Sequence, residues 1–78
     1  MATEKFNIEV TDTFGGEANY CWVRRATVEL PAYPTNRALA KAVRELADWP
    51  VSVRITITHQ GDGWEVRPSG LCQVAYVY

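Results

Sequence analysis

The last eight residues, Leu71-Cys-Gln-Val-Ala-Tyr-Val-Tyr78, are apolar on both alternations of a strand. A strand of that kind has to be covered on both faces and paired on both edges, so it belongs inside a sheet. This requirement orders the rest of the chain. If the last strand lies between the first and the fourth, every connection can be antiparallel and the sheet runs 2-1-5-4-3. The alternative order 5-4-3-1-2 strands it at an edge, where it invites aggregation.

The remaining elements follow from local pattern. Phe6, Ile8 and Val10 alternate with polar neighbours over Lys5–Thr11, the period of a half-buried strand. Asp12–Asn19 reads as a loop around Gly15-Gly16, and a second strand runs over Cys21–Leu30 with Ala26, Val28 and Leu30 inward. Tyr20, Trp22 and Arg24 share that inward parity. Charge fixes the hairpin register. Pairing Phe6 with Val28 and Ile8 with Ala26 sets Glu9 opposite Arg25 and Lys5 opposite Glu29, two favourable cross-strand pairs that a two-residue slip would lose.

Pro31 and Pro34 end the second strand, and Thr35 suits a helix N-cap. The helix spans Asn36–Asp48 with Leu39, Ala42, Val43 and Leu46 as its apolar stripe, and Pro50 stops it. A third strand over Val51–His59 turns at Gly61-Asp62-Gly63 into a fourth over Trp64–Arg67. Pro68-Ser69-Gly70 reads as a three-residue hairpin that pairs Val66 with Cys72 and Trp64 with Val74. Cys72, Val74 and Tyr76 are then inward, and Leu71, Ala75 and Val77 face out. The expected core is Phe6, Ile8, Val10, Val28, Leu39, Val43, Leu46, Val53, Ile55, Ile57, Val66 and Val74. The predicted fold is a single α+β domain over residues 1–78: a five-stranded antiparallel sheet, β-β-α-β-β-β in chain order, with one helix packed on one face.

Seventy-eight residues leave room for one domain, and a chain this short builds a thin core. A hydrophobic share of 47% is enough to fold without metal or disulfide staples. Eight basic residues against nine acidic ones speak against a strong nonspecific DNA binder and against an acidic DNA mimic. Met-Ala-Thr-Glu-Lys-Phe has no signal-peptide core, and no apolar run approaches the ~20 residues of a membrane span. The expectation is a cytoplasmic protein without membrane attachment, in which Cys21 and Cys72 stay reduced.

Candidate sites are few. Gly15-Gly16 lacks the Lys-Ser/Thr and helix start of a phosphate loop, and reads as turn glycines. His59 has no predicted nucleophile or orienting group within reach, and two Cys with one His do not form a zinc site. No catalytic residue, metal or cofactor is expected, and the chain reads as a non-enzyme. Arg37, Lys41 and Arg44 read as a solvated helix face beside Glu45 and Asp48. The expected partner-binding residues are Phe14, Glu17, Tyr20 and Arg24. Phe14 and Glu17 sit in a loop long for a hairpin, Tyr20 follows it, and Arg24, in the strand beside that loop, has no predicted counter-charge. A second candidate surface is the open sheet face, where Leu71, Ala75 and Val77 form a strip flanked by Arg54, Thr56, Glu65 and Arg67.

The segment Asp12-Thr-Phe-Gly-Gly-Glu-Ala-Asn-Tyr-Cys-Trp-Val-Arg24 resembles part of small bacteriophage and prophage accessory proteins. That setting includes anti-CRISPR proteins and other inhibitors of host defence. The resemblance implies a phage-encoded protein in the host bacterial cytoplasm that binds and sterically blocks a host protein complex, a CRISPR surveillance complex being the leading target. Anti-CRISPR proteins share no motif, so it assigns no residue a role. Two other classes stand beside it. One is a small nucleic-acid-binding module using Arg24, Arg54 and the helix basics. The other is a structural phage protein that homodimerises through the open sheet face.

Overall fold

The computed structural model describes residues 3–14, 17–61 and 63–78, with side chains outside the description for residues 14 and 17–21. The elements are β1 (Thr3–Phe14), β2 (Glu17–Pro31), α1 (Asn36–Ala47), β3 (Ile55–Gln60), β4 (Gly63–Pro68) and β5 (Gln73–Val77). They form an α+β fold, an open antiparallel sheet in the order β2-β1-β5-β4-β3 with one helix among the described residues. The doubly apolar strand lies at the centre, as its composition requires.

The β1–β2 hairpin takes the register that charge selects. Phe6 lies opposite Val28, Ile8 opposite Ala26, Glu9 opposite Arg25 and Lys5 opposite Glu29. The expected eight-residue loop is instead mostly strand. Pairing continues to Phe14 and Glu17, with Gly15 and Gly16 between them. The accommodation is a wide bulge: Thr11 pairs with Val23 and Thr13 with Ala18, so Asp12 spans four residues of β2, Asn19–Trp22. Buried Thr11 fixes that bulge by donating its hydroxyl to the Trp22 carbonyl at 2.9 Å.

Helix α1 begins where Thr35 accepts from the Ala38 N–H at 3.1 Å. It ends at Asp48, left-handed at φ 60°, whose N–H bonds the Arg44 carbonyl at 2.8 Å. The helix packs over β2 and β1 and buries Leu39, Val43 and Ala47, while Ala42 and Leu46 are half-buried at the flank. The third strand starts later than Val51. Val53 N–H bonds the Pro50 carbonyl in a turn, and Arg44 donates to the Pro50 and Val53 carbonyls at 3.1 and 2.9 Å. These bonds hold the connection against the helix, so Val51 is exposed and pairing begins at Ile55.

The largest departure is at β5. The predicted tight turn at Pro68–Gly70 does not form, because Ser69 N–H still bonds the Arg54 carbonyl at 2.7 Å in the β3–β4 ladder. The chain reverses over Ser69–Cys72, with Gly70 at φ +81°. Trp64 then pairs with Val77 and Val66 with Ala75, three residues from the expected register. An odd shift exchanges the faces of a strand. Ala75 and Val77 therefore join Ile8, Val10 and Val66 in the core, Tyr76 turns to the other face, and Cys72 is an exposed free thiol rather than a core residue. Val74 is fully buried but lies outside this core, opposite Thr11 on the second face. Trp49, Ala47, Ala75 and Val77 complete the core in place of Val53 and Val74, with Val28, Leu46, Ile55 and Ile57 at its margin.

Candidate functional site: the helix-free sheet face

The register places Arg25, Glu9, Tyr76, Glu65 and Thr58 in one row across all five strands, on the face away from α1. The row is centred on an aromatic ring with a carboxylate on either side of it. Arg25 Nε meets Glu9 Oε2 at 3.3 Å, and Arg67 meets Glu65 Oε1 at 3.2 Å. Tyr76, half-buried, thus stands between two carboxylates, each held by its own arginine. Both carboxylates are mostly covered, with side-chain exposures of 13% for Glu9 and 18% for Glu65, while Arg25 is 69% exposed. Tyr78 extends the site by donating its hydroxyl to Glu9 Oε2 at 3.4 Å, and its own side is half open to solvent. Its backbone pairs with Asn7 in both directions, which locks the C-terminus onto β1.

A cleft of about 450 Å³ opens where this face ends beside the β3–β4 turn, lined by Glu9, Tyr76 and Tyr78 of this face together with Gln60, Gly63, Trp64 and Val77. Gly63 lets β4 and β5 approach closely at this end of the sheet. A Cβ there would overlap the Val77 carbonyl oxygen and press on Tyr78 Cβ at 3.2 Å. Because the first obstacle is backbone, Gly63→Ala has to displace β5. The expected cost is about 1–3 kcal/mol by analogy with overpacking, read as a lower denaturant midpoint at unchanged slope. A midpoint equal to the parent's would show that the two strands are not so close.

The site expected from sequence is placed differently. Phe14, Glu17 and Tyr20 have side chains outside the described residues; their backbones belong to β1 and β2 rather than to a loop. Arg24 is exposed but has partners. Its guanidinium lies 5.8 Å from the Trp22 ring centroid, and Nη1 donates to the Leu46 carbonyl at 3.4 Å. A cation at the last turn of a helix complements the helix dipole, so Arg24 ties β2 to α1. Trp22, expected in the core, is exposed beneath it. The strip Leu71, Ala75 and Val77 is dissolved by the β5 shift: Leu71 precedes the strand and the other two are core.

His59 stacks on Trp64 at 5.1 Å between centroids, and Trp64 meets Phe6 edge-on at 5.8 Å. His59 shares the row of Val77, whereas the Cys72 carbonyl bonds Thr13 at the far end of β5. Five residues of strand separate those positions, roughly 17 Å, so histidine and thiol are not a catalytic pair. Among the described residues, no helix is long and apolar enough to cross a membrane. Comparison with protein-family models, with curated proteins and with solved structures gave no match.

Proposed function

We propose that this chain is a non-enzymatic protein-binding domain that acts by occupying a partner's surface. The observation that carries this reading is the helix-free face: Tyr76 set between the Arg25–Glu9 and Arg67–Glu65 pairs, with Tyr78 beside it. Tyrosine and arginine dominate binding hot spots because each offers a large, stiff contact area with polar atoms at its end. Fixed ion pairs at the rim lower the cost of ordering side chains on association. The resemblance of Asp12–Arg24 to phage accessory proteins supplies the target class, a host defence assembly and foremost a CRISPR surveillance complex. Inhibition in that setting is steric.

The test is capture of purified surveillance complex by the tagged chain, together with phage survival in a CRISPR-immune host. Tyr76→Ala with Tyr78→Ala should weaken capture by about thirtyfold or more if the two rings are hot spots. Arg37→Glu on the helix should leave it unchanged. Each variant is first matched to the parent by thermal melt. A folded tyrosine variant that binds as tightly as the parent sinks the site. Failure of the parent to bind or protect sinks the target class.

A further inference from the structure

Among the described residues, the outer edge of β2 has no strand beside it, because the sheet order begins with that strand. Between the bulge at Asn19–Trp22 and Pro31 it offers eight regular residues, Val23–Leu30. The hydrogen bonds between Asn7 and Tyr78 point the Asn7 backbone toward β5. Its partner Thr27 is therefore in a non-bonded pair with β1, and turns its own N–H and C=O outward. The same alternation turns Val23, Arg25 and Glu29 outward. These are the groups through which another strand would attach.

We infer that this edge pairs with the same edge of a second copy, antiparallel and two-fold symmetric about Thr27. Only pairings of odd-numbered residues with one another satisfy the outward groups. Centring on Arg25 or on Glu29 sets like charges face to face. Centring on Ala26 or Val28 sets Arg25 against Thr27 or Pro31. Centring on Thr27 sets Arg25 against Glu29 of the second copy, twice. On the helix-free face this completes a ladder of alternating charge: Glu9, Arg25, then Glu29 and Lys5 of the second copy, since Lys5 is already opposite Glu29 and Glu9 is bonded to Arg25. On the helix side Ala26 meets Val28 of the second copy.

The helices fit the same arrangement. Because α1 lies over β2 and β1, strand spacing sets the two symmetry-related helices roughly 10 Å apart, within packing distance. Each copy has a groove of about 420 Å³ between β2 and α1, lined by Val28, Leu30, Ala38, Lys41, Ala42 and Glu45. The helix runs antiparallel to β2, with Leu46 near Arg24 and Ala38 and Ala42 near Val28 and Leu30. The two-fold axis at Thr27 thus falls near Ala42, and brings Lys41 of one copy toward Glu45 of the other. Small alanines at the centre allow the approach.

The experiment is sedimentation equilibrium on Arg25→Glu, on Glu29→Arg and on their equimolar mixture. The parent chain should be a dimer. Each reversal alone places two like-charge contacts in the dimer and should weaken it about tenfold or more. In the mixture, the first variant carries a carboxylate at both positions and the second a guanidinium at both. Both contacts then become complementary, and a mixed dimer should form at parent-like concentrations. Thr27→Cys should also oxidise to a 27–27 bridge between copies, because residues directly opposite in a bonded antiparallel pair lie about 5.5 Å apart at Cα. A monomeric parent overturns the inference. So does a dimer that ignores both reversals, or a mixture that fails to re-associate while both variants melt like the parent.

Discussion

Val77→Asp should abolish the cooperative melt of this protein, whereas Tyr76→Thr, one residue earlier, should leave it folded. Val77 is 1% exposed and packs with Ile8, Trp64 and the helix face. An aspartate there has no cation to pair with in an apolar cluster, and its burial costs several kcal/mol. A domain of this length has roughly 4–12 kcal/mol in total. Tyr76 lies on the opposite face, half-buried, and threonine keeps both a strand former and a polar tip. Its replacement should lower the melting temperature by a few degrees at most, since about 1 kcal/mol shifts a domain of this size by roughly 4–8 °C. Circular dichroism melts read both. The reverse ranking would restore the register in which Tyr76 is inward, and would remove it from the candidate binding face.

That pair of residues shows where the sequence carries a signal and where it does not. The β1–β2 register was legible because a slip would break Glu9–Arg25 and Lys5–Glu29, and the strand order was legible because an edge position for β5 is untenable. The parity of β5 was not legible, for the same reason that its position was. A strand whose Val74, Ala75 and Val77 are all buried loses nothing in pattern when it shifts by an odd number. The bond that decides it, Ser69 N–H to the Arg54 carbonyl, joins backbone atoms and leaves no mark in residue type. Arg24 is a similar case. No acidic residue on its face of the hairpin announced a partner, and the group it reaches is the Leu46 carbonyl, an acceptor that any residue would supply. The ion pairs of the candidate face divide along the same line. Glu9–Arg25 was predicted from sequence, while the site as a whole, with Tyr76 between two carboxylates, depends on the β5 shift and emerged only with it.

Trp49→Ala should cost about 3–5 kcal/mol, a large share of the stability of a domain this size, read as a lower urea midpoint. From sequence this ring sits just past a helix and ahead of a proline, a position that says little about burial. In the structure it is 5% exposed, and it joins the core beside Ala47. Its indole N–H donates to Gln73 Oε1 at 2.7 Å, across to the first residue of the central strand. The ring therefore fastens the exit of α1 to the start of β5. Two contributions can be separated. Trp49→Phe keeps an aromatic ring but leaves the Gln73 amide oxygen without its donor, which costs about 1–3 kcal/mol beyond lost packing. Gln73→Met removes the acceptor and keeps a flexible side chain of similar length. Combining the two removes both polar partners, so the double variant should be more stable than the sum of the single losses, with a coupling of about 0.5–3 kcal/mol in urea melts. Strict additivity would mean that the bond does not form in solution. In that case the helix exit is held by Arg44 on the Pro50 and Val53 carbonyls, and Arg44→Ala becomes the more damaging change.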